Sequence, residues 1–438
     1  MAKFIIEGGV PLHGEVVPAG NKNAALPLLA ASLLTDEPVV LHNVPQIRDV
    51  ATMRALLESL GVEVTPLGPR SWRLRAHTVR PAEMDPSLCK RIRASILLAG
   101  PMSARVGHLI LPPPGGDVIG RRRVDTHLLA LRALGVQADY DRLARRFTFH
   151  APQGLRGANI LLDEASVTAT ENALMAAVLA KGTTVLRNAA SEPHVQELAR
   201  LLVRMGARIE GIGSNTLYIE GVDRLHGAEF TIGPDYLEVV SYIGAAVVTG
   251  GSIRIRNAGV KYLGMIRLVF RRLGVVWEEE GDDIVVPEEQ PLTIEPDLGE
   301  AMPEITVMPW PGFPTDLMSI AIVVATQAQG TVLFHDWMYP SRMFFTDKLV
   351  SMGARIVLCD PHRCIVSGPA QLVGERLESP DIRAGMSLVL AALAAHGRSE
   401  IRNIGQIDRG YERVDEKLRN LGARIWRIEE EESSIMTP

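Results

Sequence analysis

The sequence predicts an α/β protein of two domains, each built from three copies of one unit. Three observations carry that prediction. An apolar residue, a glycine and then Val or Ala close an amphipathic stretch six times, at Gly61, Gly135, Gly206, Gly274, Gly353 and Gly422, at intervals of about 70 residues. Six Ala- and Leu-rich segments without a polar face recur once per unit, over residues 24–34, 94–104, 169–180, 239–248, 317–328 and 384–395. The chain, at 438 residues, is also longer than one hydrophobic core accommodates.

Each unit opens with its apolar segment, which is apolar nearly all round and so predicts a buried helix. A β-rich run follows, as in Thr183-Thr184-Val185-Leu186 and Thr331-Val332-Leu333-Phe334. The amphipathic stretch that comes next, such as 195–205, predicts a helix covering the outside. Its glycine takes the C′ position, and an alternating run such as Ala207-Arg208-Ile209-Glu210 starts a strand. Buried helix, strand, outer helix and further strands thus repeat six times, which divides into two domains of three.

Composition narrows the function classes. Apolar residues make up 47% and charged residues 22%, ordinary values for a globular protein, and the net charge of −5 supplies no global positive field for nucleic acid or a membrane surface. Cys89, Cys359 and Cys364 form no CxxC pair and no zinc-ligand spacing, so they read as reduced, mostly structural thiols without a metal. No signal-peptide pattern follows Met1-Ala2-Lys3-Phe4, and the most apolar runs, such as 386–395, are shorter than a membrane span; a cytoplasmic protein is expected. The acidic run 429–432 reads as a solvated end.

Chemistry concentrates in one loop and at the helix heads. Residues 111–125 read LPPPGGDVIGRRRVD. Three prolines stiffen the start, Gly115 and Gly116 free the backbone ahead of Asp117, and Arg121, Arg122 and Arg123 follow. That pattern suits a loop closing over an anionic ligand, the plainer reading being a solvated surface loop. Ser166 and Asp381, just before apolar segments, read as N-caps. Lys22 and Arg93 at helix heads oppose the macrodipole and call for a bound anion. Pro311-Gly312-Phe313-Pro314-Thr315-Asp316 is a rigid turn delivering a carboxylate to a helix head, either as a cap or as a working acid, and Arg409 stands beside Gly410 ahead of the last outer helix. GxxxxGK[ST], GxGxxG after a strand, HExxH, an EF-hand loop and GxSxG are all absent, which disfavours nucleoside triphosphate, dinucleotide, metal and serine-nucleophile chemistry.

Taken together these segments closely resemble the UDP-N-acetylglucosamine enolpyruvyl transferases, or 1-carboxyvinyltransferases. The likeness runs the length of the chain, through Gly20-Asn21-Lys22-Asn23-Ala24-Ala25, Arg93-Ala94-Ser95-Ile96, Pro114-Gly115-Gly116-Asp117-Val118-Ile119-Gly120, Val124-Asp125-Thr126-His127, Phe313-Pro314-Thr315-Asp316, Asp381-Ile382-Arg383-Ala384 and Asp408-Arg409-Gly410-Tyr411-Glu412-Arg413. It implies a two-domain inside-out α/β barrel of six βαβαββ units. It implies a discontinuous catalytic domain over 1–21 plus 232–438, a second domain over 22–231 carrying the lid loop 111–123, and an active site in the cleft. The implied reaction moves the enolpyruvyl group of phosphoenolpyruvate to the 3-hydroxyl of UDP-N-acetylglucosamine, with no cofactor. By resemblance, Lys22, Arg122 and Arg409 hold phosphoenolpyruvate. Asn23, Arg93, Arg122, Arg123, Val124, Asp125 and Thr126 hold the nucleotide sugar, whose site Ser166, Val167 and Met338 line. Asp316 is the implied base, Asp117 the implied acid or an aid to product release, and Arg342 and Arg383 supporting cations.

Several positions depart from the family pattern. Asp117 stands where most members have cysteine; an aspartate acid works only while protonated, so closure over it should favour that form. Arg123 replaces a proline, Thr168 a glycine, Glu164 a lysine of some members, and Tyr236-Leu237-Glu238-Val239-Val240-Ser241 an Arg-Ile-Glu-Ala-Gly-Thr run. The alternatives are a related transferase acting on shikimate 3-phosphate or another nucleotide sugar, and a catalytically weak paralogue that binds nucleotide sugar and regulates wall synthesis. The Pro-Gly-Gly-Asp lid and Val124-Asp125 speak against shikimate 3-phosphate, and retention of Lys22, Asp117, Asp316 and Arg409 against the binding protein.

Overall fold

All six glycines expected to close an outer helix carry positive φ, between 75° and 103°. At the first, the Gly61 N–H donates to Glu58 O and the Val62 N–H to Leu57 O, both at 3.0 Å, and the same pair of bonds recurs behind each of the other five. A side chain would be strained there, so glycine ends the helix and turns the chain into the next strand.

A computed structural model describes residues 2–117, 119–120 and 122–429. Arg121 of the arginine run and the acidic stretch beyond Glu429 lie outside the described residues. The chain forms two compact units. The first comprises residues 1–19, 118–121 and 234–438, and the second 20–117 and 122–233.

Each unit holds three four-stranded sheets of one design. In the second unit Ala228–Thr231 runs parallel to Val39–His42, which pairs antiparallel with Ser71–Arg75, which pairs antiparallel with Glu63–Gly68. The first unit repeats this as Glu304–Thr306, Gly330–His335, Arg363–Gly368 and Arg355–Asp360. One face of each strand meets the helices: Val39, Leu41 and Leu74 are buried while Val40 and His42 are half-exposed.

Inside the first unit lie the helices Tyr236–Thr249, Met318–Gln327 and Ile382–Ala394, and their packing partners come from every side. Inside the second lie Lys22–Ala31, Ala99–Arg105 and Val167–Ala177. The outer helices are amphipathic: Pro193–Arg204 buries Val195, Leu198, Leu201 and Leu202 on one face.

One expected helix forms differently. The segment expected as a helix over 94–104 is a 3₁₀ turn over Arg93–Leu98 that becomes α-helical only at Ala99. The cause is Asn172, fully buried on the neighbouring helix. Its Oδ1 accepts from the Gly100 N–H at 2.7 Å and its Nδ2 donates to Ile96 O at 2.8 Å, the two groups that a regular turn would join. Gly100 is required because a Cβ would lie 2.5 Å from the Asn172 carbonyl oxygen. Asn172→Ala leaves both groups without that bridge and should lower the unfolding free energy by about 2–4 kcal/mol in urea titration. A loss below about 1 kcal/mol would mean that the turn recloses on itself.

Candidate active site

The heads of the buried helices collect the candidate residues, because an N-terminus presents unpaired N–H groups that need oxygen acceptors. Asn21 accepts from the Asn23 and Ala24 N–H groups, Ser166 from Ala169, Asp235 from Leu237 and Glu238, and Asp381 from Arg383 and Ala384. Ser166 and Asp381 are thus N-caps, as their positions suggested. Asp316 is not an N-cap residue: Pro314 holds that position ahead of its turn and Leu317 ahead of the helix that follows. It sits in the 3₁₀ turn Thr315–Leu317 and its carboxylate has other partners.

In the first unit Asp316 is backed by two buried guanidinium groups. Arg342 Nη2 donates to Asp316 Oδ1 at 2.8 Å, and Arg383 Nε lies 3.4 Å from Oδ2. The arginine side chains are 2% and 5% exposed while that of Asp316 is 30% exposed, so the carboxylate faces outward with its cations behind it. Burial works against both arginine charges. For Arg342 the carboxylates of Asp316, Asp381 and Asp336 outweigh it, and for Arg383 the Tyr411 hydroxyl, Asp316 and Asp235 do, so both pKa values are raised. Arg383 also stacks over the Tyr411 ring, 5.5 Å from its centroid. Arg342 Nε and Arg383 Nη1 are buried donors without a hydrogen-bond partner among the described residues, which makes this corner cationic and hungry for acceptors.

Met338 belongs to the same neighbourhood. Its N–H, with that of Tyr339, donates to Oδ1 of the fully buried Asp336. Arg409 stands on the turn Ile407–Arg409, where its Nη1 donates to Gln406 Oε1 at 2.9 Å. Arg427 grips the adjacent Asp408 with two bonds of 2.8 and 2.9 Å and holds that turn.

In the second unit Lys22 is buried, and its ammonium lies 2.8 Å from the Asp49 carboxylate in the first turn of Arg48–Ser59. A lysine at a helix head calls for an anion there. The protein itself supplies one anion, and Asp49 went unnoticed because an acid in a first turn looks like an ordinary dipole partner. Half-buried Asn23 follows in the helix.

Arg93 has protein partners as well. Its Nη2 donates to the carbonyl oxygens of Arg122 at 3.2 Å and Arg123 at 2.8 Å, so it fastens the C-terminal base of the proline–glycine loop. The two glycines of that loop are there for close approach rather than looseness. A Cβ on Gly115 would sit 1.7 Å from the Lys90 carbonyl oxygen, and Gly116, at φ 106°, would meet the Arg93 side chain at 2.9 Å. The Gly115 N–H donates to Cys89 O. Asp117 follows, half-buried.

Beyond the loop, Arg123 pairs with Asp125 at 3.3 Å and Asp163 at 3.0 Å, and the Thr126 hydroxyl donates to Asp163 at 2.6 Å. That hydroxyl is the largest cause holding the Asp163 carboxyl below the usual range. Val124 precedes the helix Asp125–Ala133. His127 on this helix meets Thr168 Oγ1 at 2.9 Å, next to Ser166 and Val167 at the head of the third buried helix. Burial first, then Arg93, pushes the His127 pKa down to about 3, so the ring stays neutral. The second unit therefore gathers Arg93, Arg122, Arg123, Val124, Asp125, Thr126, Ser166 and Val167 around Asp163 and His127. The first gathers Asp316, Met338 and Arg342 around Asp336, with Arg383 against Asp316. Asp163 and Asp336 were missed, since neither stands in a motif and the side chains that tie them to the site, Arg123 and Thr126 for Asp163 and Thr315 for Asp336, are distant in sequence.

Two units of three sheets each around buried helices, with cations and carboxylates at the helix heads, define an enolpyruvyl transferase, and comparison with known proteins agrees. The family model of EPSP synthase, 3-phosphoshikimate 1-carboxyvinyltransferase, matches residues 6–418. The structure of the enolpyruvyl transferase NikO from Streptomyces tendae superposes with a TM-score of 0.86 at 27% identity, covering 97% of this chain and 98% of that one. An EPSP synthase structure from Acinetobacter baumannii has the same fold, with a TM-score of 0.75 at 16% identity over 98% of this chain and 100% of that one. UDP-N-acetylglucosamine 1-carboxyvinyltransferases from Bradyrhizobium diazoefficiens and Treponema pallidum are 56% and 53% identical, each over 98% of this chain and 99% and 100% of their own lengths. The chain belongs to the UDP-N-acetylglucosamine 1-carboxyvinyltransferase family.

Proposed function

We propose that the chain transfers the enolpyruvyl group of phosphoenolpyruvate to the 3-hydroxyl of UDP-N-acetylglucosamine and releases phosphate, the first committed step of peptidoglycan synthesis. The observation that carries the reading is the outward-facing Asp316 carboxylate backed by two buried arginines. Guanidinium groups within 4 Å favour the carboxylate form that a base requires. The 3-hydroxyl gives its proton to Asp316 as its oxygen bonds to C2 of phosphoenolpyruvate, while C3 gains a proton from Asp117. The resulting tetrahedral ketal loses phosphate from C2 while a proton from C3 returns to the Asp117 carboxylate, which restores the enol ether. Lys22, Arg122 and Arg409 hold the charge of phosphate and carboxylate as bonding changes. Asn23, Arg93, Arg122, Arg123, Val124, Asp125 and Thr126 hold the nucleotide sugar beside Ser166, Val167 and Met338, and Arg342 and Arg383 serve Asp316.

The proposed domains are 1–21 plus 232–438, carrying the base, and 22–231, carrying the lid loop 111–123. The cytoplasm is the proposed compartment, which reduced cysteines fit: burial pushes the Cys89 and Cys364 thiols up to about 11 and about 12. No described helix is long and apolar enough to cross a membrane.

Phosphate release from phosphoenolpyruvate tests the reaction. Release only in the presence of UDP-N-acetylglucosamine is expected. Release only with shikimate 3-phosphate would move the chain to the other acceptor, and none with either would leave a binding protein. The loop residue supplies a second test. Asp117→Cys should stay active and become sensitive to fosfomycin, an epoxide that alkylates a loop thiol; equal labelling of parent and variant would refute it. A carboxyl acid loses its proton at lower pH than a thiol, so the parent activity should fall off at lower pH than that of the variant.

A further inference from the structure

Asp336 reaches both halves of the Asp316–Arg342 pair through their neighbours, Thr315 on one side and Tyr339 on the other. Its side chain is fully buried at the end of the strand Gly330–His335. Oδ2 accepts from the Thr315 hydroxyl at 2.5 Å, and Thr315 is the residue before Asp316. Oδ1 accepts from the Met338 and Tyr339 N–H groups at 3.1 and 3.2 Å. The Arg342 N–H donates to Tyr339 O, its guanidinium lies 5.2 Å from the centroid of the Tyr339 ring, and its Nη2 reaches Asp316. The contacts thus close a circuit from Asp316 through Thr315, Asp336, Tyr339 and Arg342 back to Asp316. Asp336 is itself held at both ends, its N–H donating to His362 O and its carbonyl oxygen lying 2.7 Å from His362 Nδ1.

We propose that Asp336 is a positioning residue for the base: through Thr315 and the Met338–Tyr339 turn it fixes Asp316 against Arg342, and its charge competes with Asp316 for that arginine. The proposal rests on the reading of Asp316 as the base. Burial raises the Asp336 carboxyl pKa, and the Thr315 hydroxyl first and then Arg342 oppose that rise, so the circuit favours its charged form against burial. The charged and titratable groups facing the circuit are Arg342, Arg383, Asp235, Asp381, Tyr411 and His362.

Three variants separate positioning from support of the fold. Thr315→Val removes the hydroxyl at constant shape and should lower kcat by about tenfold or more, with KM for phosphoenolpyruvate within about twofold, because a base displaced by less than 1 Å still binds substrate. Thr315→Ser keeps the hydroxyl and should recover most of the loss. Asp336→Asn keeps an acceptor for the two N–H groups and offers an amide to Thr315, but removes the competing charge. The Asp316 carboxyl, followed by ¹³C NMR and assigned with Asp316→Asn, should then titrate lower by about half a pH unit in Asp336→Asn and higher in Thr315→Val. A Thr315→Val enzyme with parental kcat overturns the proposal, as does an equal fall of kcat and Tm in both Thr315 variants, or an Asp316 midpoint unmoved in Asp336→Asn and Thr315→Val. An inactive parent would refute the transferase reading instead, and the titration would still decide the role of Asp336.

Discussion

Asp316→Asn should lower kcat by about 10²–10⁴-fold, the range expected when a general base is lost. The amide still accepts one hydrogen bond from Arg342, so the pocket keeps its shape while the group that takes the proton disappears. The arginines behind it are buried and keep their charge, which would ordinarily make loss of the anion costly. Asp316 is partly solvated, however, and Asp336, Asp381, Asp235 and Tyr411 remain around them. The stability loss should therefore be modest, about 1–2 kcal/mol in urea titration. Activity above about a tenth of the parent would remove Asp316 from the role of base.

Lys22→Met should combine the second large loss of turnover with a large loss of stability. The ammonium and the Asp49 carboxylate are 9% and 5% exposed and 2.8 Å apart. Removing one partner leaves the other charge buried, at a cost of about 3–5 kcal/mol. Turnover should fall by about 10²-fold or more if Lys22 stabilises the charge developing on phosphate and carboxylate. The two effects are separable. Adding Asp49→Asn to Lys22→Met removes the buried carboxylate charge that has lost its ammonium and should restore at least about half of the stability, but none of the activity. Recovery of turnover in the double variant would show Lys22 to be structural, acting only as the counter-ion of Asp49.

The repeats were readable in the chain because their causes are local. Gly61 and its five counterparts end helices by a backbone rule that needs only the residue at C′, and helices without a polar face have to be buried. The turn at Arg93–Leu98 was not readable, since Asn172, more than 70 residues away, breaks the helix by taking over its hydrogen bond. The candidate site divides the same way. Its cations stood out because Lys22 and Arg93 contradict the helix dipole. Their partners Asp49 and the Arg122–Arg123 carbonyl groups came only with the folded chain.

By itself, then, the sequence determined the repeating α/β unit, the N-caps Ser166 and Asp381 and the residue types assembled at the helix heads, because period, cap chemistry and glycine conformation act within a few residues. Which acid faces which base was decided by tertiary structure. The pairing of Asp316 with Arg342 and Arg383, the anchoring of Thr315 on Asp336 and the neutral state of His127 depend on burial and on charges brought within 4 Å of one another, and only the packed fold sets those.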